Sequence, residues 1–227
     1  MRRVTSLFLG VAAAGMLLFP SVALGADKDQ KQGSARPAKK QQYKYDLNPV
    51  PHDPARDGGS QVSGNARITV DGNQVTVRIQ AKGLSPNLVH VQHIHGVGQN
   101  ECPTAEARND RVDDGLIDTV EGLPDYGAIQ VSLTTRGDAS PGSGLAVERF
   151  PMADEHGKLK YERTFTIGVD FPREVAENLE RHHFVVHGID VNRNGAYDFE
   201  AGTSGLTSSL PLEAELPATC GLTKHNH

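Results

Sequence analysis

Two runs of alternating side chains meet at an Asp-Gly pair, and this junction points the chain towards an antiparallel sheet. Gln61–Val70 and Asn73–Lys82 both alternate, with Val75, Val77, Ile79 and Ala81 on one face of the second run. Alternation at period two gives a strand one buried and one solvated face. Asp71-Gly72 between them is a preferred two-residue hairpin loop. Further strands are predicted at Tyr43–Leu47, Ile129–Thr134, Leu145–Phe150, Leu159–Ile167 and near Leu206–Leu216. Prolines at 49, 51 and 54 stop the first of these, because proline removes a ladder donor. Asp170-Phe171-Pro172-Arg173-Glu174 reads as the start of a helix that ends near Arg181, with proline and acids in its first turn. Pro103–Tyr126 shows no regular pattern and reads as a long acidic loop. Many short strands with one short helix predict an all-β fold, an antiparallel Greek-key β-sandwich or flattened barrel with long acidic loops.

The first 25 residues have the form of a secretory signal. Arg2 and Arg3 precede the apolar run Leu7–Phe19, and Ala23 and Gly25 offer small residues before a cut at Ala26. The apolar run is short for a membrane span, and no second run of that length follows. Residues 26–42 carry no aliphatic side chain larger than alanine. They are expected to form a disordered tether. Residues 43–222 then make one domain with its own core, and 223–227 a flexible tail. The net charge of −5 and the absence of tryptophan argue against nucleic acid as a partner. Export would place Cys102 and Cys220 in an oxidising compartment. Pairing is expected there, with two free thiols as the alternative.

The chemistry concentrates on histidines. Leu88-Val89-His90-Val91-Gln92-His93-Ile94-His95-Gly96 reads as a strand with His93 and His95 on the face of Val89 and Val91. Imidazoles at i and i+2 on a strand stand about 7 Å apart at Cβ, so both rings can lean onto one ion. A third histidine, His187, closes His183-Phe184-Val185-Val186-His187-Gly188 on the face of Val185 and Ile189. The alternative is that these are ordinary polar strand residues. His52, among prolines, reads as a loop residue.

Two loops carry calcium spacing. Asp190, Asn192, Asn194, Ala196 and Asp198 fit D-x-[DN]-x-[DN]-G, with a backbone oxygen supplied at Ala196 and a glycine, Gly195, at the bend. The usual acidic twelfth residue is replaced by Ala201, with Glu200 just before it. Asp110, Asp114, Asp118 and Glu121 form a poorer copy. The alternative for such loops is an Asx-turn that caps its own backbone.

Taken in order, Gly83-Leu84-x-Pro86, His93-Ile94-His95-Gly96, Cys102, Val185-Val186-His187 and Ala218-Thr219-Cys220-Gly221 resemble the copper/zinc superoxide dismutase superfamily. They also resemble the CHRD (chordin-type) domain. The dismutase resemblance implies His93, His95 and His187 as three copper ligands and a Cys102–Cys220 disulfide, and imidazole suits copper. It also marks departures. The zinc site of that family draws histidines from the loop after the first cysteine, and Pro103–Tyr126 has none. The bridging fourth ligand is missing unless His90, His156 or His183 supplies it. The anion-guiding arginine of the family is replaced by Pro217, which weakens steering of a small anion.

The sequence thus describes a secreted metal-binding sandwich with copper possible at the histidines, calcium possible at the loops, and no efficient dismutase activity. The alternatives are a copper-only dismutase-like enzyme and a CHRD-type structural or interaction module. A Ser-His-Asp hydrolase is disfavoured, since no G-x-S-x-G elbow occurs.

Overall fold

The structure, a computed structural model, describes residues 40–109 and 114–223. The expected signal segment, most of the tether, Asp110 and residues 224–227 lie outside the described residues. The eight strands are β1 (Gln41–Pro49), β2 (Ser63–Asp71), β3 (Gln74–Lys82), β4 (Gln92–Gly96), β5 (Ala128–Ser132), β6 (Leu159–Thr166), β7 (His182–His187) and β8 (Pro217–Thr223). They form one antiparallel sheet in the order β5-β4-β7-β8-β1-β2-β3-β6. The sheet curls until its two edges approach. On β6, Tyr161 Oη donates to Thr134 O at 3.0 Å and Arg163 Nη1 donates to the same carbonyl at 2.9 Å, just past the end of β5. The flattened all-β barrel expected from the alternation is what the chain forms.

Inside the curl sit Ile68, Val75, Val77, Ile79, Ile94, Phe165 and Phe184, all essentially inaccessible. These are the apolar halves of the alternating strands, and their burial drives the curl. The β2–β3 hairpin pairs Asp71 with Gln74, so its loop is Gly72-Asn73, one residue later than expected. Gly72 takes φ 60° and Asn73 stays negative, the type II′ pattern, which wants glycine first.

Three segments differ from expectation. The stretch Leu145–Phe150 is not a strand but carries a 3₁₀ turn, Val147–Arg149. Its alternating Leu145 and Val147 face a recess beside the histidines instead of a ladder. The region near Leu206–Leu216 likewise ends in a helical turn, α3 (Leu212–Glu215), followed by β8. Leu212 and Leu216 are both buried, and their spacing of four is helical, not strand-like. The acidic Pro103–Tyr126 segment is not all loop: it holds a 3₁₀ turn and the helix α1 (Thr119–Tyr126). The helix expected up to Arg181 is a single turn, α2 (Arg173–Ala176), and Leu179–Arg181 continues as 3₁₀.

The outer face of β4, β7 and β8 is roofed rather than solvated. Val185 and Cys220 on this face pack against Val50, Ala107, Ile117 and Tyr126. Cys102 and Cys220 form a disulfide with Cα atoms 5.8 Å apart, tying the segment after β4 onto β8. No described helix is long and apolar enough to cross a membrane.

Candidate metal centre

β4 and β7 run antiparallel, with His93 opposite Val185 and His95 opposite His183. His187 N donates to Val91 O at 2.7 Å, so the third histidine lies across from Val91. Val91, His93 and His95 therefore share the roofed face with Val185 and His187. One ligand atom from each of His93, His95 and His187 lies within 4.8 Å of the other two. All three side chains are buried, at 3%, 1% and 3% exposure.

Each ring has one nitrogen committed to a backbone carbonyl. His93 Nε2 donates to Gly144 O at 3.2 Å, His95 Nδ1 to Gly127 O at 2.8 Å and His187 Nδ1 to Glu215 O at 2.7 Å. A neutral imidazole has one N–H, so the carbonyl fixes the tautomer and leaves a bare lone pair on the other nitrogen. Those other nitrogens are His93 Nδ1, His95 Nε2 and His187 Nε2, and all three are buried without a hydrogen-bond partner. Buried polar atoms are normally satisfied. Three unsatisfied acceptors converging within a few ångströms fit a cation that accepts three lone pairs. A carbonyl behind each ring is the usual support of a ligating histidine.

Burial, then the neighbouring rings, holds His95 down at about 3 despite the Gly127 carbonyl. Burial pulls His187 down to about 4, with the Glu215 carbonyl acting upwards. His93 is pulled well below the ordinary histidine value by burial, His187 and His95. All three rings are thus neutral at pH 7 and have lone pairs to give.

Each carbonyl comes from a different roof segment. Gly127 follows α1, whose first turn is closed by a capping box: Asp118 accepts from Glu121 N, and Glu121 Oε2 accepts from Asp118 N. Gly127 is required at that position. With φ +80°, a Cβ there would fall 2.0 Å from Gly96 O. Gly144 lies in a loop braced by Asp138, which accepts from Ser140 and Ser143, and by Arg149, which donates to Ser143 Oγ at 2.5 Å. Glu215 ends α3, and its carbonyl also accepts from Thr119 Oγ1 at 2.7 Å. Aromatic edges complete the cage: Phe150 stands 5.5 Å from His93, and Tyr126 4.7 Å from His95, between ring centroids.

The other histidines stay out of the cluster. His90 places Nδ1 2.9 Å from His187 O and Nε2 3.0 Å from Ser85 O. His156 is exposed beside Glu155. His183 sits opposite His95 but outside the converging group. Among the described residues, no fourth histidine or carboxylate joins the three. His52 is a staple: Nε2 donates to Pro217 O at 2.9 Å and Nδ1 accepts from Ile117 N at 3.0 Å. Pro217 therefore serves the fold through its carbonyl.

The loop motifs are placed separately. In Asp190–Asp198, Asp190 accepts from Asn194 N at 3.2 Å and Gly195 N at 2.8 Å. Asn192 and Asn194 both turn their amides to Asp198 Oδ2, and Ala196 N donates to Asn194 Oδ1 at 3.0 Å. Of the poorer motif, Asp114 accepts from Leu116 N at 2.8 Å, and Asp118 and Glu121 close the first turn of α1.

No protein-family model matches the chain. No curated protein matches it. Among solved structures it is similar to a Cu/Zn superoxide dismutase from Brucella abortus, with a TM-score of 0.41 and 20% identity, covering 82% of this chain and 100% of that one.

Proposed function

We propose that this is an extracytoplasmic metal-binding β-barrel protein that holds one copper-type ion at His93, His95 and His187, without efficient superoxide turnover. The observation that carries the reading is the set of three converging, buried, unpartnered ring nitrogens. His52, which serves only the fold, has both ring nitrogens satisfied, whereas the three clustered rings each turn one bare nitrogen towards the others. The paired cysteines support an oxidising compartment. Copper when bound would supply one-electron chemistry. The residues present hold it and roof it, and Pro217 offers no charge to draw in an anion. The sequence resemblance to copper/zinc dismutases points to the same three ligands, and the histidine-free loop after Cys102 leaves that family's zinc site out.

The Asp190–Asp198 loop carries a calcium part of this reading, supported by its D-x-N-x-N-G order. Metal analysis of the exported chain, purified without chelator or metal resin, tests both parts. The expected result is about one copper per chain that His93→Ala and His187→Ala abolish, and calcium that Asp198→Asn removes. Calcium alone, indifferent to the histidine changes, would leave a calcium-stabilised barrel without a copper site.

A further inference from the structure

We infer that Glu213 is a positioning residue for the histidine centre: its buried carboxylate locks the 189–198 segment onto α3 and so fixes the carbonyl that aims the ring of His187. The inference rests on the metal-binding reading above and adds to it a residue that does not line the recess.

A glutamate is almost never fully buried unless it is paired. Glu213 is 0% exposed. Both of its carboxylate oxygens accept from backbone: Val191 N donates to Oε1 and Asp198 N to Oε2, each at 2.8 Å. One side chain thus holds the Asp190–Asp198 loop at its start and at its end. Hydrogen bonds to an ionised acceptor are roughly twice as strong as neutral ones.

Helix α3 needs such a hold. It is a single turn of four residues with no side-chain cap, too short to persist on its own helical bonds. Its place is set by the segment that follows β7: Gly188 N donates to Leu216 O at 2.8 Å, and Ile189 N to Glu213 O at 2.9 Å. The Glu213 carboxylate extends this pairing to Val191 and Asp198. Two residues on, Glu215 O accepts from His187 Nδ1 at 2.7 Å. One helical turn therefore connects the loop to the ring. The backbone of His187 is tied to the same segment by a second route. His90 places Nδ1 2.9 Å from His187 O and Nε2 3.0 Å from Ser85 O, and Ser85 Oγ accepts from Asp190 N at 2.9 Å. His187 is thus gripped at ring and backbone by the residues that follow it, and the grip on the ring passes through Glu213.

The test compares Glu213→Gln with wild type and with Tyr161→Phe, which loses a buried hydrogen bond between β6 and Thr134. Glutamine keeps the length but replaces one acceptor with an NH2 that faces a backbone N–H, donor against donor. Copper affinity, read by competitive titration, should fall about tenfold, the low end for loss of a ligand's outer partner. The Cu(II) paramagnetic resonance spectrum should change in its hyperfine splitting. In the metal-free chain, the ring proton of His187 should exchange with water faster, as read by nuclear magnetic resonance. Tyr161→Phe should leave all three readouts as in wild type. If Glu213→Gln does not fold, Glu213→Asp carries the same readouts: it keeps the charge, is one methylene shorter, and should give smaller shifts in the same direction. A folded variant with all three readouts unchanged would overturn the role of Glu213 and leave the metal site standing. A wild type that binds no copper would overturn the metal-binding reading. The His187 ring proton then decides the positioning role without metal: faster exchange in the variant supports it, and equal exchange overturns it.

Discussion

The ring of His187 and the carbonyl of Glu215 meet at 2.7 Å, and the hydroxyl of Thr119 reaches the same oxygen at 2.7 Å. One backbone oxygen thus joins β7, α1 and α3 behind a single ring of the histidine cluster. Thr119→Val keeps the shape and removes one of the two donors. It should cost about 1 kcal/mol of stability. It should weaken copper binding by less than the ~10–100-fold typical when a ligand's direct partner is lost. Chemical denaturation and competitive titration would measure the two effects.

Gly127 holds His95 from behind while its own backbone lies against Gly96 and Gly98. Gly127→Ala would drive a methyl to 2.0 Å from Gly96 O at a φ of +80°. The backbone conformation alone should cost about 1–3 kcal/mol, and the overlap adds to it. Copper affinity should fall by about tenfold or more as the carbonyl leaves His95 Nδ1. A variant with lowered melting temperature but unchanged copper affinity would contradict this role of the carbonyl.

The three histidines were legible in the sequence because strand geometry is regular. The i, i+2 spacing of His93 and His95 and the Val-Val-His run of His187 fix their face without further information. Their supports were not legible. Gly127, Gly144 and Glu215 act through backbone oxygens in non-strand segments, and no side-chain pattern marks a carbonyl. The recess has no sequence signal for a related reason: Leu145 and Val147 alternate like a strand, yet they line the recess beside the histidines instead of pairing. Helix α1 did have a signal, the Asp118-x-x-Glu121 capping box, but it lay inside an acidic run whose spacing also suggested a cation.

That capping box makes a separate prediction. Asp118→Ala should lose about 1 kcal/mol of stability and leave calcium binding unchanged, because its carboxylate serves the first turn of α1. Calorimetric titration of the variant with calcium checks this. A loss of calcium matching that of Asp198→Asn would assign Asp118 to a cation site.

His52 sets part of the acid sensitivity. Burial holds its ring below the ordinary histidine value, and Nδ1 can accept from Ile117 N only when unprotonated. Its unfolded value is about 6.5, so its contribution is complete above that pH and is lost as pH falls through the lower folded value. Stability should therefore decline below about pH 6.5, and His52→Gln should flatten the slope by up to ~1.4 kcal/mol per pH unit. Urea midpoints across this range measure it. Other buried histidines would keep a residual slope, so an unchanged slope in the variant would contradict the assignment.

The Cys102–Cys220 bridge spans 118 residues and ties the segment bearing α1 to β8. Replacing both cysteines with serine should cost up to about 4–5 kcal/mol. It should also weaken copper retention, since α1 leads to Gly127 and carries Thr119. Loss of stability with undiminished retention would show that the roof holds its place without the bridge.

Titration of the metal-free chain with copper, read as stoichiometry and affinity, tests the central claim most directly. The account predicts one ion per chain for wild type and loss of that binding in each of His93→Ala, His95→Ala and His187→Ala, while His52→Gln and His156→Ala leave it intact. Binding that survives all three single changes, or that vanishes only with the histidines outside the cluster, would contradict it.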